Sequence, residues 1–329
     1  MGISFDEKQI YNLQIKNISE LNKRLAKIFE NSRDAALEKL LKYRSSVVRN
    51  GVVVTTKEQR LIMMINEINK EIADLTRKSY AAIQKNFIKT YESTYYLEAW
   101  AIEKSVNMDL GLSASYSINL PKLNEKAIQA AFDQRIGGLL LKDRTNRFRT
   151  RLQFAVQDAV AQNIIEGQTV KQLSKKLKLI NEQMNAGLKH TQTIARTELL
   201  KAYSLGQDET RVEAEKSGVE FNYIWNATLD AKVRPDHAAA DNTEALIIDG
   251  EPVFKVGGIE MRGPRIPVVQ TGSKAEAAQV INCRCRRLNI PFGIKPTSRV
   301  AKTKEGRWKT VNGDLTAKEW IKKEYDIRV

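Results

Sequence analysis

The chain of 329 residues carries 54 Lys and Arg against 39 Asp and Glu, a formal charge of +15, and only two cysteines, Cys283 and Cys285. That length can bury a sizeable core, and the charge favours polyanionic partners through counterion release. Two cysteines one residue apart exclude a disulfide-stapled secreted scaffold. Aromatics at 7% and charged residues at 28% favour helices with broad solvated faces over one thick core. Met1 to Asp6 lacks a basic start followed by an apolar run, and no apolar stretch is long enough to span a bilayer, so the expectation is a chain made in a cytoplasm.

From Asp6 to about Arg44, Ile10, Leu13, Leu21, Leu25, Ile28, Leu37, Leu40 and Leu41 follow steps of three and four, which predicts an amphipathic helix broken by Asn50-Gly51. Val52 to Val54 is a short β-branched run, and Thr55 or Thr56 fits a capping box opening the next helix. Ile65, Ile68, Ile72 and Leu75 begin that helix. Ser79 and Asn86 interrupt its seam, which excludes a sustained coiled coil. Its far half holds Tyr80, Tyr91, Tyr95, Tyr96 and Trp100, suited to packing on another helix. Periodicity lapses between Ser105 and Pro121. Helices are then predicted from Pro121 to about Ile136, from after Gly137-Gly138 to Ile165, and onward from a Thr169/Gln172 cap through Leu173, Leu177 and Ile180.

After Gly218, a helix-terminating glycine, Val219 to Trp225 alternates as a strand, and the chain to Phe292 becomes rich in Gly, Pro and Asp. From Arg286 to Val329 twelve Lys and Arg stand against five acids. The predicted fold is mainly α: an extended helical N-terminal region (1–110), a second helical region (111–190), a small α+β domain (191–292) and a basic tail (293–329). That tail is expected to contribute weakly to any core, with Trp308 and Trp320 available for docking.

Three stretches then stand out. Ile194-Ala195-Arg196-Thr197-Glu198 is followed in helical register by Tyr203, Gly206 and Arg211; Trp225 is followed by Asp230, Arg234 and His237; and Ile281 to Arg286 reads Ile-Asn-Cys-Arg-Cys-Arg. Together, across Arg147 to Phe292, they resemble the hallmarks of the Mu F-like minor-head family of tailed bacteriophages. The resemblance implies a virion protein present in few copies, associated with the portal and with capsid or scaffold proteins. It further implies a part in head assembly, and binding to the packaged DNA or ejection with it.

Arg196 and Glu198, two apart on a helix, do not face each other, so each is expected to reach a different neighbour and orient the helix on the α+β domain. Trp225 and Arg234 are taken with them as structural positions. Cys283 and Cys285 share one face if their segment is a strand, and with Asp230 and His237 they offer the donor set that zinc prefers. Arg135, Lys142, Arg144, Arg147, Arg149 and Arg151, with only Asp143 among them, form a candidate phosphate-facing patch for non-specific contact with double-stranded DNA; an acidic protein surface would also satisfy it. Asp230, Arg234, His237 and Asp241 admit a rival reading as a metal-dependent nuclease or toxin-like enzyme. No nucleophile or phosphate loop accompanies them, so a non-enzymatic role is expected.

Overall fold

The computed structural model describes residues 4–42, 48–49, 52–53, 57–109, 116–165, 170–293 and 295–326. Five helices lead: α1 (Ser4–Lys42), α2 (Lys57–Asp109), α3 (Glu125–Phe132), α4 (Leu141–Ile165) and α5 (Val170–Lys216). Between α1 and α2 a two-residue ladder pairs β1 (Val48–Arg49) with β2 (Val52–Val53). Asn50-Gly51, Thr55, Thr56, Gly167 and Thr169 lie outside the described residues. The helix expected from Pro121 begins later, because Asn124 accepts a hydrogen bond from the Lys126 amide and caps α3 at Glu125. No described helix is long and apolar enough to cross a membrane.

The chain divides into two compact units, each built from separated segments. One comprises Ser19–Lys85 and Leu140–Ala195. Its core joins Phe29 of α1, Met64, Ile68, Ile72 and Leu75 of α2, Leu152 and Val156 of α4, and Met184 of α5. Gly187 of α5 leaves room for the Phe148 ring, which a Cβ at that position would overlap. Lys39 bridges Glu67 and Glu71 along its surface.

The other unit comprises Met1–Ile18, Asn86–Leu139 and Arg196–Val329. Here α5 lies directly on α2: a Cβ on Gly206 would approach the Tyr91 carbonyl to 2.7 Å, and the Thr210 hydroxyl donates to the Tyr95 carbonyl at 2.8 Å. Gln207 Nε2 donates to the buried Glu98 at 2.8 Å, and Arg211 gathers Asp208, Glu215 and Glu251. Gly218, at φ +87°, ends the helix.

The sheet region follows. β3 (Phe221–Asn226) pairs antiparallel with β8 (Arg286–Pro291), placing Trp225 opposite Arg287. β4 (Leu246–Ile248), β5 (Glu251–Val256), β6 (Ile259–Gly263) and β7 (Ile266–Pro267) form an antiparallel meander. Two short helices, α6 (Pro235–Ala240) and α7 (Lys274–Val280), complete the region. Trp225, Leu229, Phe254, Met261 and Val280 centre its core.

Of residues 293–329, expected as a tail, the described stretch Ser298–Tyr325 instead folds into this core. β9 (Ser298–Lys302) pairs with β10 (Trp308–Asn312), and α8 (Ala317–Tyr325) starts in a Thr316/Glu319 capping box. Ala301, Ala317, Trp320 and Ile321 join the Trp225 cluster, while Trp308 stays 47% exposed. The reason is an ion pair that a charge count cannot foresee. Buried Arg299 forks onto both oxygens of buried Asp241, whose carboxylate also accepts from the Ala227 and Ala317 amides.

Truncation after Phe292 is therefore expected to abolish cooperative unfolding of this unit, because it opens the core and leaves Asp241 buried without its cation. An unchanged melting temperature with native near-ultraviolet dichroism would contradict that assignment. Gly206→Ala, despite its better helix propensity, should destabilise by about 1–3 kcal/mol in urea titration through overpacking against α2.

Candidate metal centre

His237 is placed by α6, which begins where Arg234 adopts an extended conformation and Pro235 supplies a preset helical φ. Cys283 and Cys285 lie between α7 and β8. The strand on which their sharing one face was conditional does not include them: they lie in the irregular segment leading into β8. The turn that aims them is made at Asn282, whose φ of +56° is one that asparagine tolerates better than most residues. α7 itself is fixed by Ser273, which accepts from the Glu276 amide, and by Glu276, which accepts from the Gly272 amide.

The two sulfurs and the imidazole converge in a fully enclosed site. His237 Nδ1 is 3.2 Å from Cys285 Sγ and 3.6 Å from Cys283 Sγ, and the three donor atoms lie within 4.8 Å of one another. Asp230, expected as a fourth ligand, is not among them: its carboxylate receives both terminal nitrogens of Arg284 and the Lys232 amide. Arg284 sits between the cysteines in sequence, and its side chain goes to Asp230, not to the sulfur site.

A hydrogen-bond relay sets the imidazole tautomer. Gln279 Nε2 donates to Asp236 Oδ2 at 2.9 Å, and since a carboxylate only accepts, Gln279 must present its carbonyl oxygen to His237. That oxygen is 2.8 Å from Nε2, against 3.5 Å for the competing Arg234 Nη1, so the shorter contact assigns the ring proton to Nε2 and leaves the Nδ1 lone pair facing the sulfurs. Gly257 makes room for the relay: a Cβ there would fall 2.2 Å from Gln279 Nε2 and 2.5 Å from Asp236 Oδ2. Trp225, fully buried, meets the His237 ring edge to face at 5.7 Å between centroids. Arg234 donates to the Gln279 and Ile281 carbonyls, tying the start of α6 to the end of α7.

Behind the sulfurs lies Arg265, which the sequence reading missed. Fully buried at φ +72°, it donates through Nη1 to the Cys283 and Cys285 carbonyls, both at 2.9 Å, through Nε to the Leu200 carbonyl at 2.9 Å and through Nη2 to Ser204 Oγ at 2.6 Å. Burial lowers its pKa below the ordinary guanidinium value, opposed by the neighbouring thiols. Burial also acts to raise Cys283, but the hydrogen bond from Cys285 and the Arg265 charge hold that thiol well below its ordinary range. Burial and Cys283 push Cys285 well up.

The first motif meets the third. Arg196 Nη1 donates to Asn282 Oδ1 at 3.2 Å, and Thr197 Oγ1 accepts from the Asn282 amide at 3.0 Å. Glu198 turns the other way to pair with buried Lys201, which also donates to the Phe132 and Gln134 carbonyls.

The basic cluster is divided between the two compact units. Arg144 is only 8% exposed, so it cannot serve as a phosphate contact. Its charge, after burial and Arg151, helps to lower the pKa of His190. Lys142, Arg147 and Arg151 are exposed on α4 and Arg149 is half-buried. Arg135 is exposed but belongs to the other compact unit and donates to the Gly138 carbonyl.

Comparison with known proteins gives two findings. Residues 155–288 match the family described as phage Mu protein F like protein, a span that includes all three motifs. The chain is also 25% identical over 293 residues to the NAD(+)–arginine ADP-ribosyltransferase EFV of Enterococcus faecalis, an alignment covering 89% of this chain and 56% of that protein. The chain thus spans a little over half the length of this curated relative. No solved structure shows significant similarity.

Asn282→Ala is expected to destabilise the unit by about 1–3 kcal/mol, combining a left-handed backbone with the lost Arg196 contact. Asn282→Gly should recover part of that loss in urea titration. Equal losses for the two would show that backbone conformation at this turn is not what the asparagine supplies.

Proposed function

From the phage Mu protein F-like region over residues 155–288, we propose that this chain is a minor head protein of a tailed bacteriophage, working beside the portal and touching packaged DNA without reading its sequence. The match over the three motifs carries the reading. The charge of +15 supports it, as do the exposed cations Lys142, Arg147 and Arg151 with half-buried Arg149 along α4. No base-reading motif accompanies them, so the contact is with phosphates. Its place is the virion, inside the capsid near the portal, with capsid or scaffold proteins as further partners.

A non-enzymatic role fits the site. Of the residues that suggested a nuclease or toxin-like centre, Asp230 is engaged by Arg284 and Asp241 by Arg299, and His237 is directed at two sulfurs. The name of the Enterococcus relative raises transfer of ADP-ribose to arginine as a second reading, but 44% of that protein lies outside the shared stretch.

Sedimentation of lysates from cells expressing the phage head genes should find the chain with portal and capsid shells; its absence from virions and assembly intermediates would overturn the reading. Purified protein mixed with duplex DNA and divalent cations should retard the DNA intact, and with NAD+ should release no nicotinamide. Replacing Lys142, Arg147, Arg149 and Arg151 by Gln should make the slope of log affinity against log salt shallower by up to about 3.6 units, each lost phosphate contact removing roughly 0.9.

A further inference from the structure

We propose that His237 Nδ1, Cys283 Sγ and Cys285 Sγ hold one zinc ion, and that Gln279 and Asp236 serve that ion as outer partners. Two thiol sulfurs and an imidazole nitrogen form a donor set selective for zinc over magnesium or calcium, which take oxygen ligands. Their spacing also fits: a tetrahedral zinc with ordinary bond lengths sets nitrogen and sulfur ligands about 3.6 Å apart. The observed separations of 3.2 and 3.6 Å therefore leave little rearrangement for binding.

The relay is the stronger argument. An imidazole that only filled a core would be served by either tautomer, yet here Asp236 orients Gln279, Gln279 fixes the proton on Nε2, and Nδ1 is left to coordinate. Metal-bound histidines are held in this way, through the ring nitrogen that does not bind the metal. Gly257, where any side chain would strike both relay members, keeps the channel open for it. Among the described residues no fourth His, Cys, Asp or Glu joins the cluster, so the remaining position falls to a non-protein ligand such as water. The ion would tie α6 to the segment entering β8, and so join the second motif to the third.

The test uses the full chain purified without chelator. Elemental analysis should find about one zinc per chain, and cobalt substitution should give the sulfur-to-metal charge-transfer absorption of a thiolate site. Chelation should expose two thiols to a disulfide reagent, and added zinc should protect them again. Cys283→Ser and Cys285→Ser should each lower metal content. Should either fail to fold, Gln279→Leu leaves all three ligands in place and should weaken zinc binding ten- to a hundredfold. A folded chain that takes up neither zinc nor cobalt would overturn the proposal and leave a hydrogen-bonded thiol pair. Full metal content in folded cysteine variants, or unchanged affinity in Gln279→Leu, would also overturn it.

Discussion

The Arg265 guanidinium is the constraint around which the sheet-bearing unit is organised. It is fully buried, and among the described residues no carboxylate is bonded to it; its donors go to three backbone carbonyls and one hydroxyl. A buried cation is tolerated only when its hydrogen bonds are met, so Leu200 and Ser204 of α5 and the two cysteine carbonyls must converge on it. This one side chain therefore fixes where the long helix lies relative to the segment that carries the sulfurs. The left-handed backbone at Arg265 is strain that the surrounding bonds offset.

The same device recurs at each seam of the unit. Arg299 and Asp241 draw the last strands and helix into the core, Arg211 holds three acids around the end of α5, and Lys201 ties Glu198 to the turn after α3. A chain poor in aromatics has few large side chains with which to weld helices to a sheet. Forked, buried cations do that joining here and bring geometric specificity with them. Charges that looked like surface decoration or a polyanion patch are in several cases internal, and Arg144 and Arg299 are the clearest examples.

Much of this was legible in the sequence where it rests on local rules. Helical periodicity gave α1, α2 and α4, and Gly218 marked the end of α5, because those signals act within a few residues. The three motifs were visible, and their clustering is now explained: Asn282 receives Arg196, and Trp225 packs on His237. What sequence could not supply were pairings across long separations. Asp230 looked like a ligand until Arg284 claimed it, and the basic run after Phe292 looked solvated because its counter-charge, Asp241, lies some 58 residues away. Arg265 and Gln279 carried no motif at all; only Gly263-Pro264 before Arg265 hinted at a turn.

The most direct test of this account is the unfolding free energy of Arg265→Met, measured by guanidinium titration on the full chain. Methionine fills similar space but leaves the Cys283 and Cys285 carbonyls without their buried donor. If the guanidinium organises the unit, the loss should be on the order of 3–5 kcal/mol, with both thiols becoming reactive well below the unfolding midpoint. A loss under about 1 kcal/mol, with the thiols still protected, would show that apolar packing around Trp225 holds the unit without Arg265.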